Sequence, residues 1–324
     1  MSSKKYIQNY NFNKDKQVLN FVLSYKDTSI PNAIRRTLSS YIPTYSIDID
    51  SICITRNNTI FHNERIVHIL TLVPVKNYIK DGDYEKVNFS LSKAFDKDKV
   101  NKNDLFYNER IMIYTDDIKS SDGKSYFLSG MPIVEVRKGQ KLIIDKMKLK
   151  RGTQQEHAQF QSCIVTYKII SNTPEKVTTE MNISPVAINP LDHSDIYPHS
   201  PQKLLRLSID ILIEKCNNLK KNIDNIVIEK LPISLKDFGG TKKSDIFATS
   251  IIINNEDHTM GYLLQSVISN MSEFKDKEFV GYRVPHPLKK NIVIKMITSN
   301  PKKVIVNALS ELIKIFTQIK SEIK

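Results

Sequence analysis

The chain has 324 residues, 40% of them hydrophobic, with a formal net charge of +13, no Trp and 9 Gly. That length and apolar content suit about two domains with real cores, and they exclude collagen-like and Gly-rich disordered classes. Three well-separated cysteines, Cys53, Cys163 and Cys216, exclude a disulfide framework and a local CxxC zinc site, and fit a reducing compartment. The N-terminus lacks an apolar signal core and no apolar run reaches transmembrane length, so the expectation is a soluble intracellular protein with no membrane partner. The basic residues are scattered and accompany no zinc-finger or helix-turn-helix pattern. Sequence-specific DNA contact is therefore not expected.

In chain order, residues 17–26 alternate apolar and polar side chains and predict a strand. Asp27-Thr28-Ser29 supplies capping side chains for a helix over 31–41, with Pro31 in its first turn and a stripe of Ile30, Ile34, Leu38 and Tyr41. Arg35 and Arg36 fall off the centre of that stripe. Residues 45–170 are strand-rich, with polar loops between runs such as VNFSL, RIMIY, VEVRKGQKLIID and SCIVTYKII. The segment 171–200 holds Pro174, Pro185, Pro190 and Pro198 and reads as a connection. Helix returns over 201–221, with Leu204, Leu207, Ile211, Leu212, Cys216 and Leu219 on one face. Residues 222–246 form a linker with one short strand, IVIEKLPI.

The opening pattern then recurs. ATSIIIN predicts a strand, and Asp257 and Thr259 cap a helix with a Leu263, Leu264, Val267, Met271 stripe. Aligning Asp27 with Asp257 sets Ser29 on Thr259, Ile34 on Leu264 and Leu38 on Ile268: an internal strand–cap–helix repeat. Two further strands precede a last helix, 301–322, with Val304, Ala308, Leu312, Ile315 and Ile319. Each unit is thus a small sheet with two helices, and the leftover apolar helix faces can bury each other.

Reactive chemistry is not legible. Seven histidines show no metal-ligand spacing and no pairing with a nucleophile motif. Asp48 and Asp50 form a DxD, read as the solvated face of an alternating strand with Ile47 and Ile49 on the other face. No phosphate-binding GxxxxGK occurs.

Five segments resemble one family. SIPNAIRRTLSSYIPTYSIDID, NERIVHILTLVPV and VEVRKGQKLIIDKMKLKRGTQQEHAQFQSCIVTYKI resemble the α-type assembly component of multisubunit RNA polymerases, which is the D-type polypeptide in archaea, the third subunit of polymerase II and α in bacteria. NNEDHTMGYLLQSVI and FVGYRVPHPLKKNIVIKM resemble its smaller partner, the L-type polypeptide in archaea or the eleventh subunit of polymerase II. Tyr262 departs from that pattern, standing where the smaller partner usually has Asn. The resemblance implies an α+β fold: two dimerisation modules packed as an intramolecular pseudo-dimer, with a β-rich insert in the first. The implied boundaries are 1–45 with 171–223 for the larger-half module, 46–170 for the insert, 224–246 for the linker and 247–324 for the smaller-half module.

The implied function is a non-catalytic platform that docks the two large catalytic subunits and small assembly subunits. Catalytic Mg belongs to the largest subunit and no cofactor is expected here; the cysteine-free PVKNYIKDGDYEKVNFSL stretch lacks the cluster some relatives carry. Arg35, Arg36 and Asn32 are expected to contact a partner chain, since guanidinium forks suit carboxylates and carbonyls. Ile34, Leu38, Leu207, Ile211, His258, Leu264, Val267, Leu312 and Ile315 are expected at the intramolecular dimer surface. One fused chain resembles the arrangement in some large DNA viruses, which implies a viral factory in the host cytoplasm and the virion as locations. The alternative from composition alone is a free-standing basic nucleic-acid-binding protein.

Overall fold

The computed structural model describes residues 5–75, 86–95, 110–186, 200–231, 248–271, 279–298 and 300–323. The chain begins with an antiparallel pair, β1 (Ile7–Asn13) and β2 (Val18–Tyr25), followed by α1 (Ser29–Ser40). Alternation builds β2: Leu19, Phe21 and Leu23 are buried and the residues between them are less so. On α1 the buried side chains Ile30, Ala33, Ile34, Thr37 and Leu38 recur at three- and four-residue spacing.

An insert follows: β3 (Thr44–Ile47), β4 (Cys53–Asn57), α2 (Asn63–Thr71), β5 (Phe89–Ala94), β6 (Arg110–Tyr114), β7 (Lys119–Ser120), β8 (Pro132–Arg137), β9 (Lys141–Met147) and β10 (Leu149–Gly152). Its strands form one sheet, β4-β9-β5-β7, and two pairs, β10-β3 and β6-β8, around a separate apolar cluster from Tyr45 to Leu149. The RKGQ turn joins β8 to β9. Gly139 takes φ +78 there, and the Arg137 N–H donates to Gln140 Oε1 at 2.8 Å.

The chain returns to the first sheet with β11 (Cys163–Asn172) and β12 (Val177–Pro185), giving the antiparallel order β1-β2-β12-β11, and continues into α3 (Pro201–Lys221). The last part contains β13 (Val227–Leu231), β14 (Ala248–Asn254), α4 (His258–Ser269), β15 (Val280–Arg283), β16 (Asn291–Ile297) and α5 (Pro301–Glu322), with sheet order β13-β14-β16-β15. The two sheets have the same order once the insert is removed. Each unit runs strand, strand, helix, strand, strand, helix. The long helices even start alike, Ser200-Pro201 and Asn300-Pro301, each cap side chain accepting from an N–H three residues on at 3.3 and 3.1 Å.

Several expectations need correction. The segment 171–200 holds β12, which lies between β2 and β11 in the first sheet. Its inward residues Val177, Thr179, Met181 and Ile183 are buried, but the polar residues between them mask the pattern. Pro174 lies in the β11–β12 turn and Pro185 ends β12, so neither removes a ladder donor from the strand interior. The strand at 163–170, expected in the insert, pairs instead with β12 and buries Cys163 and Val165 in the main core. The short strand of the 224–246 linker pairs with β14 as the edge of the second sheet, while residues 232–246 lie outside the described residues. Asp48 and Asp50 do not share a strand face: Ile49–Ser51 is a 3-10 turn that leaves Ile49 exposed while Ile47 is buried.

Candidate functional site

The helices α1, α3, α4 and α5 lie between the two sheets, and their apolar faces join residues of both units in one buried cluster. Ile34, Leu38, Leu264, Val267, Leu312 and Ile315 are in it, with Leu204, Leu205, Ile209 and Leu212 from α3. Leu207 and Ile211, expected at the dimer surface, pack against this cluster partly buried, while Leu205 and Ile209 are fully buried in it. His258 is exposed and packs edge-on against Tyr282 of its own unit at 5.8 Å, so it does not contribute to the seam as expected.

The polar contacts of the seam come from the helix starts. Asp257 caps α4, its Oδ1 accepting from the Thr259 N–H at 2.8 Å. Its Oδ2 accepts from Arg36 Nη2 and from the Tyr41 hydroxyl, both at 2.9 Å, while Arg36 Nε donates to Thr259 Oγ1 at 2.7 Å. Burial alone would raise the Asp257 carboxyl. The bonds from Thr259, Arg36 and Tyr41 outweigh it and hold the pKa at about 2. At the other end Asp27 takes the same position. Its Oδ1 accepts from the Ser29 N–H at 2.8 Å and its Oδ2 from the Ser266 hydroxyl at 2.5 Å.

Arg36 therefore ties the two units together across the seam, a role that its expected partner contact did not include. The repeat carries the signal for it: both cap aspartates reach the helix residue nine places on in the opposite unit, Ser266 from Asp27 and Arg36 from Asp257. Arg35 points elsewhere. Its guanidinium donates to Asn32 Oδ1 at 3.2 and 3.0 Å, one turn back on α1, and it meets no carboxylate among the described residues.

α3 carries a second set of ties. Arg206 donates to the Ile323 carbonyl at 2.7 Å, Asp210 pairs with Lys320, and Lys220 donates to Ser310 at 3.0 Å. Lys215 reaches Glu256 at 3.2 Å and lies over the Tyr41 ring. Burial raises the Glu256 carboxyl, partly offset by Lys215; burial opposes the charge on Lys215, but Glu256 prevails and raises its pKa. The N-terminal strand is held to the last helix by Glu322, whose Oε2 accepts from the Tyr6 and Ile7 N–H groups at 2.8 and 2.6 Å.

The other motif residues shape local structure. Gly261 lies under the Tyr282 ring, and a Cβ there would sit 2.4 Å from it, so EDHTMG and YRVPHP meet at this contact. Tyr262, the departure noted in the sequence, crosses to the first unit, its hydroxyl 3.4 Å from Thr28 Oγ1. His157 and His286 each use Nδ1 to accept a backbone N–H two residues on, from Gln159 and Leu288. Both buried thiols have pKa values raised by burial, Cys163 to about 11 and Cys216 to about 12, so neither is an activated nucleophile. Among the described residues no three metal-ligating side chains come together, and no helix is long and apolar enough to cross a membrane.

The family model of the RNA polymerase Rpb3/Rpb11 dimerisation domain matches residues 248–322. The DNA-directed RNA polymerase II subunit rpb3 of Dictyostelium discoideum is 23% identical over 63% of this chain and 74% of its own length. The DNA-directed RNA polymerase subunit Rpo3 of Methanocaldococcus jannaschii is 30% identical over 47% of this chain and 70% of its own. A Caenorhabditis briggsae protein, "Probable DNA-directed RNA polymerases I and III subunit RPAC2", is 37% identical over 22% of this chain and 43% of its own. Both the matched sequence and the doubled sheet–helix unit place the chain in the Rpo3/Rpb3 family of DNA-directed RNA polymerase subunits.

Proposed function

We propose that the chain is a non-catalytic platform subunit of a DNA-directed RNA polymerase, in which both partners of the family's dimer are fused. The first unit with its insert stands for the larger partner and the second unit, from Val227 onward, for the smaller. The observation that carries this reading is the single core shared by helices of both units, closed at both ends by cap aspartates that cross the seam. The similarity to rpb3, Rpo3 and RPAC2 subunits, and the match of residues 248–322 to the Rpb3/Rpb11 dimerisation domain, support it.

The platform would dock the two large catalytic subunits, with Arg35 and Asn32 on the open flank of α1 contacting one of them. The chain itself would hold no metal, the catalytic Mg lying in the largest subunit. Purification of the tagged chain from its native source, with mass spectrometry, should recover the two large subunits in near-stoichiometric amounts. Recovery of the chain alone would refute the platform. Elemental analysis should show no equivalent of zinc or iron that resists chelation. A viral source rests on the fused arrangement, and finding the chain in purified virions would support it.

A further inference from the structure

The second sheet turns Ile251, Ile253, Ile292, Ile294 and Met296 toward the helices, so alternate residues form an outer face. Register sets that face in rows. One row runs Glu229, Ser250, Lys295, and the next runs Val227, Ile252, Val293, Arg283. The β15–β16 loop folds beside these rows through the His286 turn, and together they enclose a cleft of 610 Å³ that also takes in Pro285, Lys289 and Asn291. That size suits a short peptide segment rather than a domain.

We propose that this cleft binds an acidic, extended segment of another polymerase subunit, an assignment that rests on the platform reading above. Three observations select that chemistry. Arg283, Lys289 and Lys295 line the cleft and form no ion pair among the described residues, against the single carboxylate of Glu229. The floor is apolar, from Ile252 and Val293, and Leu288 beside Lys289 is 88% exposed. One acceptor remains in need of a donor: Asn291 Oδ1, which is buried without a hydrogen-bond partner.

A peptide answers all three needs, with carboxylates for the cations, an apolar side chain for the floor and a backbone N–H for Asn291 Oδ1. A phosphodiester backbone offers neither apolar surface nor N–H donors, and Glu229 would repel it. The matching region of the first sheet has no such cleft-forming loop: β11 and β12 are joined by a turn in which Thr173 and Lys176 exchange backbone bonds, and Asn20 and Asn182 pair on its outer face at 2.7 Å.

The test uses the full chain in the purified polymerase, with a photo-crosslinking amino acid at Leu288 and, as control, at exposed Ile60 of the insert. Illumination should join position 288 to an acidic stretch of another polymerase subunit. Lys289→Glu with Lys295→Glu should leave the melting temperature unchanged and lower the crosslink per assembled complex by about tenfold. A crosslink to nucleic acid or to a second copy, a yield no higher than from position 60, or indifference to charge reversal would each overturn the cleft assignment while leaving the platform intact. Recovery of the wild-type chain without other polymerase subunits would remove the platform reading, and this one with it.

Discussion

The two ends of the seam are built on one plan with different chemistry. At each end a cap aspartate holds its own helix start and reaches the residue nine places on in the opposite unit. Asp27 finds a serine hydroxyl, and Asp257 finds an arginine and a tyrosine. The scaffold thus requires only an acceptor at the helix start and a donor across from it. A charged donor occurs at one end alone, where it couples the seam to pH and holds the Arg36 guanidinium on Asp257. Arg35, one residue earlier, stays on the open flank. Two adjacent arginines on one helix therefore do different work because the helix turns them by about a quarter turn.

Perturbations of this comparison can be ranked. The largest effect should come from the apolar layer both ends share. Leu264→Asp or Leu312→Asp places an unpaired charge in the common cluster and should cost about 4 kcal/mol or more, unfolding both units together in a thermal melt. Two separated transitions would show that the units do not share a core.

Next is the charged end. Asp257→Asn should cost about 2 kcal/mol near neutral pH, the scale of its pKa depression. The sign follows from that depression. With a folded value of about 2 against an ordinary 3.8, the contribution is complete above about pH 4 and is lost as pH falls toward 2. The wild type should therefore lose stability over that acid window more steeply than Asp257→Asn, as read by melts at pH values from about 2 to 5. Parallel curves would remove the Arg36–Asp257 pair as a source of acid sensitivity.

At the end with the neutral donor, Ser266→Ala removes one donor from Asp27 and should cost about 1 kcal/mol. The smallest stability effect is expected at Arg35. Arg35→Ala should change stability by less than about 0.5 kcal/mol yet reduce co-purification of the large subunits, whereas Arg36→Ala should lower the melting temperature first. Equal melts for the two variants would erase the distinction between them.

Much of the fold is legible in the sequence because periodicity reports burial. The α1, α4 and α5 stripes follow from apolar spacing, and the Asp27–Asp257 alignment exposes the repeat. What escapes has weak local signals. β12 presents Thr, Glu, Asn and Ser outward and sits among prolines, so only its partners in the sheet identify it. β13 is visible as a strand, but its sheet depends on pairing from afar. On α3 the apolar spacing favours Leu207 and Ile211 over Leu205 and Ile209, because that helix is apolar around much of its circumference and packs against both α1 and α5. The role of Arg36 is hidden for a different reason: one helix seen alone cannot show a carboxylate that arrives from a residue 221 positions away.

The central claim is that one chain supplies both halves of a dimer-like platform. The most direct test divides the chain after Ile226, ahead of β13, and co-expresses the pieces with a tag on one. The account predicts that the pieces co-purify at 1:1 and elute together at the size of the intact chain, and that Leu264→Asp abolishes their association. Pieces that elute separately and folded would contradict it.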